Sequence, residues 1–331
     1  MFMNFKKILL SLICSICMLP VCVKVAGALT NRLYVTNIAN NTVSVIDPSE
    51  NEAVMTIDTG ALPTGIAIDS TAGRVYVVNS RYDDSSISVI DIITSRLVSA
   101  IKVDRNPMHI AINSADGLAY ITHPEGKDKT ISVINLEKNI SSGKIKVGAG
   151  AFHMAIAGNK LYVSNSEDHS VTVINTGNNK VITTIKTGHK LLGLAVCPLK
   201  RRVFAAGPDS DAVIVIDTET DKVAGTIKVG RQPWYIGIDP VAHRAYVTNR
   251  RDGTVSVINT LDNEVLETIK VGRQPLGIAV APSSNRLYVV NHADHTISVI
   301  DTGTNSVTGT INVGGPLYSP QSGSLWGIAL F

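Results

Sequence analysis

From residue 32 onward, apolar and polar positions alternate over short runs, and turn-forming residues separate each run from the next. Successive side chains of an extended strand point to opposite faces, so this period of two predicts strands with one buried face. No long stretch shows the 3.6-residue period of an amphipathic helix, and β-branched residues crowd the apolar positions. The clearest set comprises residues 277–280, 286–290, 296–300 and 306–313, four strands in succession. Between the third and fourth, Asp301-Thr302-Gly303-Thr304-Asn305 predicts a hairpin in which Asp and Asn side chains bond nearby backbone and Gly303 takes a positive φ.

One phrase returns seven times, ending at Asn37, Asn79, His123, Asn165, Gly207, Asn249 and Asn291. The interval is 42 residues except for one of 44, the length of one four-stranded propeller blade. The chain enters this pattern at Asn31-Arg32-Leu33-Tyr34, the second strand of a blade with no first strand before it. The missing piece is Gly327-Ile328-Ala329-Leu330, which matches Gly277-Ile278-Ala279-Val280. The expected fold is therefore all-β, a seven-bladed β-propeller of four-stranded antiparallel blades. Its ring is closed by the C-terminal strand pairing with the three-stranded blade of residues 31–60, which covers edges that would otherwise invite other chains.

Tyr34, Tyr76, Tyr120, Tyr162, Tyr246 and Tyr288 occupy one column and Phe204 the seventh place, so the ring matters more than the hydroxyl and packs between blades. The Asn that closes the phrase fastens the following turn through its amide. Tyr34-Val35-Thr36-Asn37 and Tyr246-Val247-Thr248-Asn249, each followed by Thr-Val-Ser-Val-Ile, resemble the YVTN family of β-propeller repeats over nearly the whole chain beyond residue 28. That resemblance implies a secreted or surface-layer protein and names no activity. More distantly, the propeller is similar to lactonases, virginiamycin B lyase and haem d1 domains. None of their catalytic residues aligns here, and a shared fold does not transfer function.

Chemistry is expected where a column deviates. The residues opening the inner strands are Gly65, His109, His153, Gly193, Tyr235, Gly277 and Gly327, so four glycines leave space at the channel mouth and three polar rings fill it. His123 stands where most blades have Asn, on the same face. Imidazoles at His109, His123 and His153 suit a divalent transition metal or proton transfer, with Glu125 as a further carboxylate. The bland alternative has them filling the places of Gly and Asn and bonding water or backbone. A second ligand-binding feature is a rim of Arg105, His189, Arg231 and Arg273 beside Trp234, Tyr235 and Trp326, suited to a small anionic or planar ligand. Its bland counterpart is a solvated rim that serves the turns. Cys197 packs, and Asp83-Asp84 and Asp209-Ser210-Asp211 are expected to be solvated turns.

Lys6 and Lys7, an apolar run from Ile8 to Val23 and Ala26-Gly27-Ala28 predict a secretory signal peptide over residues 1–28, with one propeller domain over 29–331. The alternative is an uncleaved membrane anchor. Removing Lys6, Lys7 and Lys24 takes the formal charge from +3 to zero, so the long-range attraction for nucleic acid disappears. Cys14, Cys17 and Cys22 leave too, and Cys197 alone permits no intramolecular disulfide. Two functions stay open. One is a secreted, extracellular or periplasmic binding or surface-structural module for a protein, glycan or small anion. The other is a metal-dependent hydrolase or lyase at the channel mouth, with haem on a mouth His as a further cofactor option. Membrane contact would come only through an uncleaved N-terminal segment.

Overall fold

The computed structural model describes residues 32–83, 85–313 and 325–331, with side chains from 327 in the last stretch. The predicted signal peptide, Asp84 and the Trp326 side chain lie outside the described residues. Seven four-stranded antiparallel sheets form a ring, and each runs inner to outer in chain order except where the chain closes on itself. We number the blades along the chain, so blade one holds residues 33–58 and 325–330. The inner strands of blades two to seven are Pro63–Asp69, Ile110–Asn113, Ala151–Ala157, Leu194–Cys197, Pro233–Asp239 and Pro275–Ala281. Each inner strand touches its two neighbours in a closed cycle.

Closure follows the expected register. Leu325–Leu330 lies antiparallel on Leu33–Asn37, with Leu33 opposite Leu330, Tyr34 opposite Ala329 and Val35 opposite Ile328. Phe331 donates its N–H to the Arg32 carbonyl at 3.0 Å.

Seven apolar clusters form the core, one at each seam between neighbouring blades. Each seam holds one ring of the aromatic column: Tyr34 between blades one and two, Phe204 between five and six, Tyr288 between seven and one. A buried ring contributes about 2–3 kcal/mol through burial alone, so the repeat places one strong apolar contact at every seam. The hydroxyls lie at the seam edge, where Tyr162 donates to Asp221 and Tyr120 to Asn179 of the following blade, both at 2.8 Å. Basic residues one step earlier reach the same hairpins. Lys160 Nζ donates to the Thr218 carbonyl at 2.8 Å and Arg286 Nη1 to the Pro48 carbonyl at 2.6 Å, the latter joining blade seven to blade one.

The hairpins between third and fourth strands differ from expectation in one detail. The positive φ falls on Asn305 (53°), not on Gly303, and Asn51, Ser95, Asn139, Asn179, Asp221 and Asn263 hold the equivalent place. Asp301 Oδ1 accepts the N–H groups of Gly303 and Thr304 at 2.9 and 2.8 Å, which fixes the turn before the left-handed residue is reached. Asn and Asp tolerate that conformation better than other side chains with a Cβ, so glycine is not required there.

Candidate functional site at the channel mouth

Four inner strands open with an irregular step in their pairing to the second strand, between Pro63 and Ile66, Ala151 and Met154, Pro233 and Ile236, and Pro275 and Ile278, and the closing strand has one opposite Val35 and Asn37. A bulge turns side chains away from the regular alternation. Here it directs residues 152–153 and 234–235 toward the axis rather than fully into a seam.

Whether the second of these residues can carry a side chain depends on the facing strand. In blades three, four and six a hydroxyl from that strand accepts the bulge N–H: Thr122 from His109 at 3.1 Å, Ser164 from His153 at 3.0 Å, Thr248 from Tyr235 at 3.0 Å. Thr122 and Ser164 pass the bond on to the next blade, donating to the Phe152 and Leu192 carbonyls at 2.9 and 2.8 Å. The hydroxyl acts as a spacer. Where Val78 and Ala206 replace it, the bulge N–H bonds the next carbonyl directly, Gly65 to Met108 at 3.0 Å and Gly193 to Trp234 at 2.9 Å. A Cβ on those glycines would lie 2.6 and 2.5 Å from the same oxygens, inside van der Waals contact. These glycines therefore close space, contrary to the expectation that they leave it. Gly327 is pressed as closely, against the Thr64 carbonyl, although Thr36 accepts its N–H.

The three polar rings meet. His109 and His153 meet with centroids 3.8 Å apart and ring planes tilted by 45°, and Tyr235 lies 5.2 Å from His153 and 6.2 Å from His109. His153 Nδ1 accepts the Leu194 N–H at 3.2 Å, so its neutral form carries the proton on Nε2. His109 Nδ1 is buried with no hydrogen-bond partner among the described residues. Both rings keep part of their surface toward the channel while protein surrounds them. Burial pushes the His109 pKa down to about 4, and burial with the neighbouring His109 charge holds His153 well below the usual range. Two neutral imidazoles at neutral pH are available as hydrogen-bond partners or ligands. Beside them Phe152 meets Trp234 edge-on at 6.2 Å, and the Arg250 guanidinium lies over the Trp234 ring at 5.2 Å.

His123 does not join this cluster. Its Nδ1 bonds the Arg105 carbonyl at 3.0 Å and its Nε2 the Ser132 hydroxyl at 2.8 Å, and Ser132 donates to Asp104 at 3.0 Å. It does the work of the Asn it replaces, for Asn165, Asn249 and Asn291 each donate to two hydroxyls of the following strand. The expected trio of His109, His123 and His153 is thus corrected to a pair, and no group of three or more His, Cys, Asp or Glu with metal-holding geometry occurs among the described residues. Glu125 accepts from Asn106 at 3.0 Å and is no part of the pair.

The basic rim divides likewise. Arg231 and Arg273 each grip a carboxylate from the following loop, Asp252 and Asp294, through backbone N–H and Nε together. Arg105 donates to the Tyr82 hydroxyl at 2.6 Å and lies over its ring. These bonds serve the linkers first. His189 is half-buried, with its carbonyl held by Thr187. Asp209 and Asp211 accept the Lys190 and Gln232 N–H groups and Asp83 accepts from Arg81, as turn residues would. Cys197 is fully buried in the seam between blades five and six. Sequence reasoning passed over Arg250 and Arg251, a doubled arginine at the two places after the phrase where other blades have pairs such as Ser80-Arg81, Ser166-Glu167, Pro208-Asp209 and His292-Ala293.

No family model and no curated protein sequence matches the chain. Solved structures do. The chain resembles hydrazine synthase of Kuenenia stuttgartiensis with a TM-score of 0.72 and 18% identity, over 82% of this chain and 92% of that one. It resembles a functionally unknown protein from Desulfotomaculum acetoxidans with a TM-score of 0.77 and 14% identity, over 91% and 99% of the two chains. Apo AztD from Citrobacter koseri gives 0.60 and 17%, over 91% and 98%. At these identities the likeness shows the propeller fold alone.

Proposed function

We propose that the protein is a binding module of the extracellular space or cell envelope that holds a small ligand at the channel mouth. The observation that carries this reading is the convergence of His109, His153 and Tyr235 from three blades onto one point of the axis, in a column otherwise filled by glycine. A scaffold has no need of two imidazoles in contact there. The His153 Nε2–H offers a donor, the His109 ring stands beside it with its Nδ1 buried and without a partner among the described residues, and Phe152 and Trp234 supply an apolar wall. The metal-dependent hydrolase or lyase reading drew on His109, His123 and His153 together, and the described residues bring only His109 and His153 to one point, with no third His, Cys, Asp or Glu placed to complete a metal site. The N-terminal segment supports an exported protein, and N-terminal sequencing of the chain recovered outside the cytoplasm would test that.

Thermal shift of the mature protein with carboxylates, sugars, zinc and haem, repeated on a His109→Ala/His153→Ala variant, tests the site. A probe that raises the unfolding temperature of the parent and not of the variant supports it. Probes that stabilise neither protein, or both equally, would rule out the axial site.

A further inference from the structure

Away from the axis, on the same face, a cleft of about 590 Å³ lies between blades six and seven. Its walls are the loop after the second strand of blade six, the linker at residues 270–274 and the loop at 293–294. Four cationic side chains line it, Arg250, Arg251, Lys270 and Arg273, against two carboxylates, Asp252 and Asp294. Both carboxylates are already engaged, Asp252 by Arg231 and Asp294 by Arg273. Arg250 is held by Gln274 at 3.2 Å and by its stacking on Trp234. The side chains of Arg251 and Lys270 form no hydrogen bond or ion pair among the described residues, and Arg251 only adds to the field that holds the Asp252 carboxyl low, so the cleft keeps an excess of positive charge.

The repeat shows that this charge is not a by-product of the scaffold. The cleft between blades five and six has the same lysine and arginine, Lys228 and Arg231, but Pro208 and Asp209 where this one has Arg250 and Arg251. Between blades seven and one the equivalents are His292 and Ala293, with Asn312 for the lysine. Between blades two and three Lys102, Arg81 and the linker Arg105 recur, but Ser80 takes the place of Arg250 and Asp83 engages Arg81, so blade six alone carries two adjacent arginines after the phrase. Unmatched like charge in one cleft costs stability through self-repulsion, and a ligand of opposite sign removes that cost.

We infer that this cleft is a second binding site, for the phosphate of a small phosphomonoester with a polyhydroxylated body. A phosphomonoester carries between one and a half and two negative charges near neutrality and three terminal oxygens, which matches Arg251 and Lys270, with the Arg250 guanidinium held beside them by Gln274, better than the two oxygens of a carboxylate. The remaining lining is polar, with the Gln232 and Gln274 amides and the backbone at Val271, Gly272 and Ala293, and suits hydroxyl groups rather than an aromatic base. The volume falls within the usual range for small-ligand sites.

The test is calorimetric titration of the mature protein with glucose 6-phosphate, inorganic phosphate, glucose and citrate. It is repeated on Arg251→Ala/Lys270→Ala and on Lys186→Ala, which removes the equivalent lysine of blade four. The three substituted side chains are exposed and without hydrogen bonds or ion pairs among the described residues, so folding is preserved. Saturable binding of glucose 6-phosphate is expected, tighter than inorganic phosphate, absent for glucose, weakened about tenfold or more in the double variant and unchanged in Lys186→Ala. Failure of glucose 6-phosphate to saturate at millimolar concentration, or equal binding by the double variant, overturns the site. Tighter binding of citrate overturns the phosphomonoester assignment. The His109→Ala/His153→Ala variant should bind as the parent does, which separates this site from the axial one.

Discussion

Gly193 donates its N–H to the Trp234 carbonyl at 2.9 Å, and a Cβ on Gly193 would stand 2.5 Å from that same oxygen. The contact joins the inner strands of blades five and six with nothing between them. Gly193→Ala should therefore force the seam apart and cost about 1–3 kcal/mol. Urea unfolding checks this, and Gly225→Ala, on an outer strand with open space around its Cα, is the control expected to change little.

His109 predicts an acid sensitivity with a definite window. Its folded pKa of about 4 lies below the value of an unfolded histidine, so between those values the unfolded chain binds the extra proton. The stabilisation is complete above about pH 6.5, is lost as pH falls toward 4, and amounts to at most about 3 kcal/mol. His153 and His123 shift the same way, chiefly through burial, and add to the loss as pH falls below the ordinary histidine value. The hairpin carboxylates Asp47, Asp217 and Asp301 are held below the ordinary aspartate value by serine or threonine bonds, so their contribution falls away only at still lower pH. Stability measured from pH 7.5 to 4.5 should fall less steeply for His109→Phe than for the parent. Parallel curves would show that His109 takes up its proton in the folded state as readily as in the unfolded one.

His123 and Asp104 replace a pair found elsewhere as Gly148 with Asn165 and Gly272 with Asn291, where the Asn Oδ1 accepts the Gly N–H at 3.1 Å. His123→Asn alone strands the Arg105 carbonyl and should cost about 1–3 kcal/mol. His123→Asn with Asp104→Gly restores the pair of the other blades and should recover most of that loss. A double-mutant cycle with a coupling of at least about 1 kcal/mol is the expected outcome. The exposed Asp104–Lys144 ion pair contributes little to it.

Thr36 ties the closing strand to two blades at once, accepting the Gly327 N–H at 2.8 Å and donating to the Thr64 carbonyl at 3.0 Å. Thr36→Val keeps the shape and removes both bonds, with an expected cost of about 1–2 kcal/mol. Hydrogen exchange should then speed up first at residues 325–331. Unchanged exchange there would show that Thr36 is not part of the clasp.

The repeat made the ring legible, because each blade states the same strand pattern and the half-blades at the two ends complement each other. The aromatic column was legible too, since Phe204 showed that the ring and not the hydroxyl was required. The gathering of His109, His153 and Tyr235 followed from their shared column. What sequence alone concealed were relations between columns. Thr122, Ser164 and Thr248 occur where a polar ring opens the strand, and Val78 and Ala206 where glycine does, but that matters only once neighbouring blades are known to face each other there. Asp104 in a column of glycines was the sign that His123 had a partner of its own. The positive φ was assigned to Gly303 because glycine adopts it most freely, while the geometry of the turn placed it two residues later, on Asn305.

The bond between Gly327 and Thr36 spans 291 residues of chain. Bringing ends so distant together costs roughly 5 kcal/mol in the length-dependent part of loop-closure entropy alone. Until that expense is met, the faces of blades seven and two that blade one will cover remain wet. Folding is then expected to finish with a slow docking event rather than begin with one. Once shut, the circumference unravels only by prising that joint apart, which makes the rate of its opening the quantity that governs how long the molecule survives among proteases.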